Sequence, residues 1–270
     1  MKVSVIVAIY KDTEALDAIL DSLYKQSYTG EYEVIVAEDG QDEDVQNYIQ
    51  SLTYPNLVHT TQIDEGWRKN KSLNNAIRAS SGDLLIFLDG DCIPYSNLIE
   101  NYVKLKENKT VLCGRRVELG AKISTKLRKK ELHINELENS YLRRIISMYK
   151  DNTNHYEEGI KFNNFLYNLK YKNKSSHIIG CNFALNREDI YEINGFNEEY
   201  HSAAVGEDTD IEYRLAKIGC LMKPARNLCN IVHLYHKVSY SADAHQASTK
   251  IFNHIKEKNE IFCKNGLKTI

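Results

Sequence analysis

Residues 84–88, Leu84-Leu85-Ile86-Phe87-Leu88, run without a polar interruption into Asp89-Gly90-Asp91. An apolar run this short has the length of a strand buried on both faces. Such strands belong to open α/β sheets, where ligands bind outside the carboxyl ends of the strands. Two carboxylates one residue apart at such an end suit a hard divalent cation and the phosphates that travel with it. The plain alternative is a solvated turn, since Asp and Gly are common there.

The rest of the chain extends the pattern. Val3 to Ile9 reads as a continuous buried strand. Asp12 or Thr13 can cap the next helix, in which Leu16, Ile19, Leu20 and Leu23 recur at helical spacing. Val34 to Ala37 is a second strand ending at Glu38-Asp39-Gly40, followed by a helix to about Leu52. Leu57 to Thr60 is a weaker strand and Lys71 to Ala79 a helix. This alternation predicts an α/β fold with a doubly wound, mostly parallel sheet. After Gly120 the composition turns basic and rich in Asn and Tyr, with helical stretches between Leu132 and Met148. That region reads as an inserted, partly mobile segment. Regular structure resumes over His177 to Ala184, with a helix from Glu207 to about Lys217 and a strand over Ile231 to His236. A terminal helix is predicted over Gln246 to Phe262. The expected organisation is one catalytic domain over 1–240, divided into 1–115, a basic insertion 121–176 and 177–240, with a helical extension over 241–270.

Composition narrows the function classes. The chain has 270 residues, 42% hydrophobic and 27% charged, with a net charge of -2. Neither disorder nor bulk nucleic-acid binding fits those values. The charge is uneven: Lys104 to Lys174 holds 17 Lys+Arg against 8 Asp+Glu. Six scattered cysteines without a CxxC pair argue against a zinc site or disulfide scaffold and for a reducing compartment. No run approaches the roughly 18 apolar residues of a membrane span, and the N-terminus enters a strand directly. The expected location is cytoplasmic, in solution or at the inner face of the membrane, with no nucleic-acid partner.

Several constellations carry chemistry. Asp89 and Asp91 offer oxygen ligands for Mg²⁺ or Mn²⁺. A phosphatase reading of Asp-x-Asp is disfavoured by Ile93, where a Thr or Val is usual, and by the three strands that precede the motif. Asp39, at the same sheet edge, could accept a uracil N–H. The segment Asp64 to Ala76 opens a helix with cations near its start, which an anion such as a nucleotide phosphate would favour. Gly206-Glu207-Asp208-Thr209-Asp210 opens another helix, whose dipole would keep a carboxylate ionised for general-base work. His233 and His236 could complete a mixed oxygen and nitrogen site beside Asp-x-Asp.

Ser4 to Tyr10, Val36 to Gly40, the Arg68 to Asn74 helix and Asp89-Gly90-Asp91 together resemble the GT-A fold glycosyltransferases of family 2. Gly180-Cys181-Asn182-Phe183-Ala184, Asn194-Gly195-Phe196 and Gly206 to Asp210 resemble the C-terminal half of galactosyltransferase-like and chondroitin-polymerase-like enzymes. The resemblance implies the GT-A, nucleotide-diphospho-sugar transferase fold, in which a smaller sheet abuts the main one. It implies that Asp39 contacts the donor base, with Ala8, Tyr10, Arg68 and Asn74 nearby. It places Asp89 and Gly90 at the ribose or a metal-bound water. Asp91 becomes the direct ligand of Mn²⁺ or Mg²⁺, with His236 and His233 as further ligands. Asp208 becomes the base that deprotonates the acceptor, and Glu207 an acceptor contact. The implied reaction is an inverting transfer from a nucleotide sugar, most simply a UDP-sugar, to a glycan or lipid-diphosphate-linked hydroxyl in surface polysaccharide synthesis. Two departures bear on the sugar and the base loop. Ser202-Ala203-Ala204-Val205-Gly206 replaces a Trp-containing pattern, and Glu38 stands where the family often has Asp. The rival readings are a sugar-phosphate nucleotidyltransferase and a noncatalytic glycan-binding module. The first lacks its Gly-rich loop at Tyr10 to Thr13, and the intact Asp89, Asp91 and Asp208 speak against the second.

Overall fold

The computed structural model describes residues 1–202, 207–237 and 242–269. Its first part alternates strictly: β1 (Val3–Ile9), α1 (Thr13–Leu23), β2 (Tyr32–Glu38), α2 (Glu43–Gln50), β3 (Leu57–Thr60), α3 (Lys69–Ala79) and β4 (Leu84–Asp89). There follow β5 (Cys92–Pro94), α4 (Leu98–Leu105), β6 (Thr110–Cys113) and β7 (Arg115–Glu118). The basic segment holds α5 (Ala121–Arg128), α6 (Ile134–Asn139), α7 (Tyr141–Lys150) and α8 (Asn164–Tyr171). The chain continues as β8 (Asn182–Asn186), α9 (Arg187–Glu192), α10 (Glu207–Lys217), β9 (Leu221–Pro224), β10 (Asn230–His233) and α11 (Ala242–Lys258). Asp12 caps α1 as expected, its Oδ1 accepting the Ala15 N–H at 3.0 Å.

Seven strands form the main sheet in the order β3-β2-β1-β4-β8-β6-β9. The first four are parallel, and β8 runs antiparallel to both β4 and β6. A second sheet has the order β5-β10-β7. Side-chain alternation divides the core between the two faces of the main sheet. Leu84, Ile86 and Leu88 join α1, α4 and the basic segment on one face, while Leu85 and Phe87 meet α3, α9 and α10 on the other. The apolar run that looked featureless in sequence is therefore two interleaved sets, one for each side.

The basic segment, expected from the sequence as an insertion, is packed against the domain. Leu127, Leu137, Tyr141, Met148, Tyr167 and Tyr171 are all buried in the first core. Three tyrosines share that burial, and each of their hydroxyls finds an acceptor: Tyr141 on the Tyr156 carbonyl (2.7 Å), Tyr167 on the Pro224 carbonyl (2.6 Å), Tyr171 on Asn227 Oδ1 (2.7 Å). Tyrosine can join the aliphatic residues in this core because each of these hydroxyls has a partner. The helical stretches expected between Leu132 and Met148 are two helices that meet at Ser140. At the other end of the chain, α11 stops at Lys258, and residues beyond it return to the domain. Asn194 Nδ2 donates to the Cys263 and Lys268 carbonyls, and Leu267 sits in the second core.

The start of α10 is held by a buried ion pair. Arg214 donates to Asp210 Oδ2 at 2.9 and 2.5 Å and to the carbonyls of Ile193 and Gly195 at 2.7 and 2.9 Å. Removing one partner of a buried pair leaves the other charge uncompensated. Asp210→Ala is therefore expected to lower the unfolding free energy by about 3–5 kcal/mol in a urea titration. A loss below about 1 kcal/mol would show that this pair does not anchor the helix.

Candidate active site

The turn Asp89-Gly90-Asp91 is the junction between the two sheets. β4 belongs to the large sheet up to Asp89, and β5 begins the small sheet at Cys92. The turn lies close against the end of β1: a Cβ on Gly90 would stand 2.6 Å from the Ala8 carbonyl oxygen. Only glycine fits so near an approach. On the small-sheet side, β10 runs antiparallel to β5 with His233 opposite Cys92, and the Leu234 N–H donates to the Asp91 carbonyl at 2.8 Å.

That register delivers two imidazoles to one carboxylate. His233 Nε2 lies 3.1 Å and His236 Nε2 3.2 Å from Asp91 Oδ2. In a continuing strand, residues three apart face opposite sides. The predicted strand to His236 in fact ends at His233, and the chain then turns so that both rings converge. The ligand atoms of Asp91, His233 and His236 all lie within 4.8 Å of one another. One carboxylate and two imidazoles fit Mn²⁺ well and leave positions for phosphate oxygens; Mg²⁺ is served chiefly by the carboxylate. Burial alone would raise the Asp91 carboxyl, but hydrogen bonds from His233 and His236 outweigh it and hold the group well below the usual carboxylate range. The same hydrogen bond raises the His236 imidazole above its ordinary 6.5.

A cleft of about 550 Å³ opens beside this triad at the carboxyl ends of β1, β2 and β4. Ala8, Tyr10, Asp39, Asp89, Gly90, Asp91 and His236 all line it, so most of the sequence-predicted residues converge. Asp39 is nearly buried and pre-oriented: Gln62 Nε2 donates to Oδ1 at 2.7 Å and the Arg68 N–H to Oδ2 at 2.8 Å. Glu38 is a structural residue, joined to His59 at 2.8 Å and to the Asp42 N–H at 2.6 Å. Tyr10 stands at the exposed rim with its hydroxyl 3.2 Å from Asp64 Oδ2, and Trp67, the single tryptophan, forms part of the wall.

Three of the residues named from the sequence are not among those lining the cleft. Asn74 does not line the cleft: its amide is buried and ties α3 to the 196–198 loop, donating to the Phe196 carbonyl at 2.8 Å and accepting the Phe196 N–H at 2.9 Å. The resemblance places Asn74 near the donor; the physical reason for its burial is a loop whose backbone needed partners. Arg68 is not among the lining residues. It serves through its N–H on Asp39, while its side chain donates to the Trp67 carbonyl at 2.9 Å. Asp208 sits in the first turn of α10, with Oδ1 accepting the Thr209 N–H at 2.8 Å, and is also absent from the cleft lining. The side chain of Glu207 lies outside the described residues, as does the 203–206 stretch before it.

Two cations take the place expected for Arg68. Lys69 Nζ reaches Asp89 Oδ1 at 2.7 Å. Arg128, the last residue of α5, donates to Asp12 Oδ1 at 2.6 Å and lines the cleft from the basic segment. The run Arg68-Lys69-Asn70-Lys71 did signal cations, but the choice among them depends on helix phase. Nothing local marks Arg128. The start of α3 has no side-chain cap, and the buried hydroxyl of Ser72, on the cleft wall, has no partner.

Residues 4–193 match the family described as Glycosyl transferase family 2, and residues 161–237 match one described as N-terminal domain of galactosyltransferase. A chondroitin synthase of Pasteurella multocida (strain Pm70) is 26% identical over 238 residues, covering 82% of this chain and 23% of that protein. Among solved structures, the mannosyltransferase PcManGT from Pyrobaculum calidifontis in complex with GDP-Man and Mn²⁺ has a TM-score of 0.57 at 19% identity, covering 88% of this chain and 58% of that one. GalNAc-T7 with UDP, GalNAc and Mn²⁺ has a TM-score of 0.63 at 14% identity, covering 93% and 47%. At these identities the structural likeness concerns the fold, which is GT-A. The chain spans 23% to 34% of the length of the curated relatives.

The Asp91 contact fixes a pH dependence. A raised imidazole pKa contributes stability that is fully present below 6.5 and is lost as pH rises through the folded value. In the metal-free chain, His236 is expected to titrate above 6.5 by NMR and to fall back in Asp91→Asn. The two curves coinciding would contradict the contact.

Proposed function

Because this chain belongs to glycosyltransferase family 2, we propose that it is a metal-dependent, inverting glycosyltransferase using a nucleotide sugar, most simply a UDP-sugar. The observation that carries this is the pairing of a pre-oriented Asp39 with the Asp91, His233 and His236 cluster across one cleft. A uracil ring would place its N–H on Asp39, whose oxygens keep lone pairs beyond those taken by Gln62 and Arg68. The ribose would meet Asp89 and Gly90. Asp91 and His236, with His233, would hold the cation. A bound Mn²⁺ or Mg²⁺ would supply positive charge against the leaving diphosphate. Lys69 and Arg128 would add fixed cations to the same region, and the uncapped start of α3 would favour the anion further.

On the acceptor side, Asp208 would take the proton of the attacking hydroxyl as its oxygen bonds to C1 and the C1–O bond to diphosphate breaks. Asp208 lies in the first turn of α10, where a carboxylate is well placed against the helix dipole. Glu207 would orient the acceptor. Residues 1–240 act in this reading as the catalytic unit, with 1–115 holding the donor and 177–240 the acceptor. The acceptor is a growing glycan, including one carried on a lipid diphosphate, and the setting is surface polysaccharide synthesis at the cytoplasmic side of the membrane. The complexes with UDP and with GDP-Man among the structural neighbours make the base a matter for direct test.

Turnover assays with UDP- and GDP-sugars in Mn²⁺ test the activity itself; release of no nucleoside diphosphate from either would overturn it. Asp208→Asn keeps shape but cannot accept the proton, so transfer should fall by roughly 10²–10⁴ with donor affinity little changed. Near wild-type transfer would remove Asp208 from the chemistry. Asp39→Ala should weaken UDP binding by about 1.5–3 kcal/mol in calorimetry without altering Mn²⁺ affinity. Unchanged UDP affinity would exclude the base contact.

A further inference from the structure

Helices α7 and α8 of the basic segment are apolar on more sides than the core requires. On α7, Tyr141 and Met148 face inward and are buried. Leu142, Ile146 and Tyr149, spaced i, i+4 and i+7, form a second apolar stripe on the outside. On α8, Tyr167 and Tyr171 are buried, while Phe165 and Leu169 face out one turn apart. These five outward side chains are each 65% to 76% exposed. Single exposed apolar residues need no explanation, but stripes of this kind mark an interaction surface.

The charges around the stripes show what would cover them. Neither helix contains an acidic residue, whereas Arg143, Arg144, Lys150 and Lys170 lie on them and Lys172 and Lys174 follow at once. Of the acids near the two helices, Glu136 and Glu157 are exposed outside them, and two others are engaged elsewhere. Asp151 accepts the Lys122 and Ile123 N–H groups at 3.1 and 2.9 Å, and Glu158 is paired with Arg226. The starts of the two helices also lie near one another. Gly159 packs so tightly on Tyr141, at the start of α7, that a Cβ there would overlap the ring, and Asn163, four residues on, caps α8. Apolar stripes flanked by cations and free of acids are the pattern of helices that lie in a membrane interface. A polar protein partner would have no use for the aromatic and aliphatic stripe, and a second copy would bring like charge against like.

We propose that α7 and α8 form a peripheral docking surface for an anionic bilayer, with the apolar stripes entering the acyl boundary and the Arg and Lys side chains meeting the headgroups. The surface belongs to the same segment that sends Arg128 into the cleft. Docking there would hold the active site beside a lipid-linked acceptor. Its purpose rests on the proposed transfer to such an acceptor, but its existence does not.

Co-sedimentation of the full chain with vesicles of phosphatidylglycerol and phosphatidylcholine, against phosphatidylcholine alone, tests it without any sugar transfer. Binding is expected to the anionic vesicles, to weaken at least tenfold between 0.05 and about 0.5 M salt, and to fall at least tenfold in a Leu142→Ser, Ile146→Ser, Phe165→Ser, Leu169→Ser variant. Circular dichroism and UDP binding in Mn²⁺ should be unchanged in that variant, because none of the four residues is buried or lines the cleft. If those controls fail, Leu142→Ser with Leu169→Ser alone is expected to reduce binding measurably. Equal vesicle binding by wild type and folded variant would overturn the proposal, as would no binding by either. Self-association of the wild type that the variant abolishes, without vesicle binding, would assign the surface to a second copy instead. Vesicle binding in a chain that turns over no nucleotide sugar would leave the surface standing and overturn the proposed function.

Discussion

The site depends on one crossing of the backbone. β4 leaves the large sheet at Asp89 and the chain enters the small sheet at Cys92, with Gly90 pressed against the Ala8 carbonyl between them. Because the turn is so short, the two carboxylates are divided between environments. Asp89 stays at the end of the parallel strands, paired with Lys69. Asp91 goes with β5 and meets whatever β10 presents, and the antiparallel register presents His233. A one-residue slip in that pairing would turn the imidazole to the other face of the small sheet. The register of two strands of three and four residues thus decides whether the triad exists.

Charge balance follows from the same layout. The cleft gathers Asp12, Asp39, Asp89 and Asp91. Their partners are Arg128, the Gln62 amide with the Arg68 N–H, Lys69, and the two histidines, respectively. Carboxylates this close would repel one another unless each were satisfied. Only the Asp91 partners are imidazoles, which can exchange a proton for a metal ion near neutral pH. The other acids keep fixed partners that would hold their geometry if a metal ion bound there.

Much of this was legible in the sequence because it rests on local signals. The strand-to-carboxylate junctions at Asp39 and Asp89 follow from apolar runs that stop abruptly, and β3 (Leu57–Thr60) and α10 (Glu207–Lys217) fall where periodicity and first-turn acids place them. What was not legible needed distant partners. Asn74 reads as a ligand residue until the 196–198 loop is seen hydrogen-bonded to it. Lys69 rather than Arg68 faces the carboxylates because helix phase is not determined at a first turn. Arg128 reaches the cleft because Ile123 and Leu127 of its own helix pack into the first core beside α1, a partner distant in the chain. The convergence of His233 and His236 required the strand to stop where alternation alone would have continued it.

The account stands on Asp91, His233 and His236 acting as one cation site at the edge of the donor cleft. Anomalous diffraction at the manganese edge, from crystals grown with Mn²⁺ and UDP, tests this directly. A single strong peak is expected within bonding distance of Asp91, His233 and His236, with the uracil against Asp39. A peak held by other residues, or UDP bound in the cleft without manganese at Asp91, would contradict it.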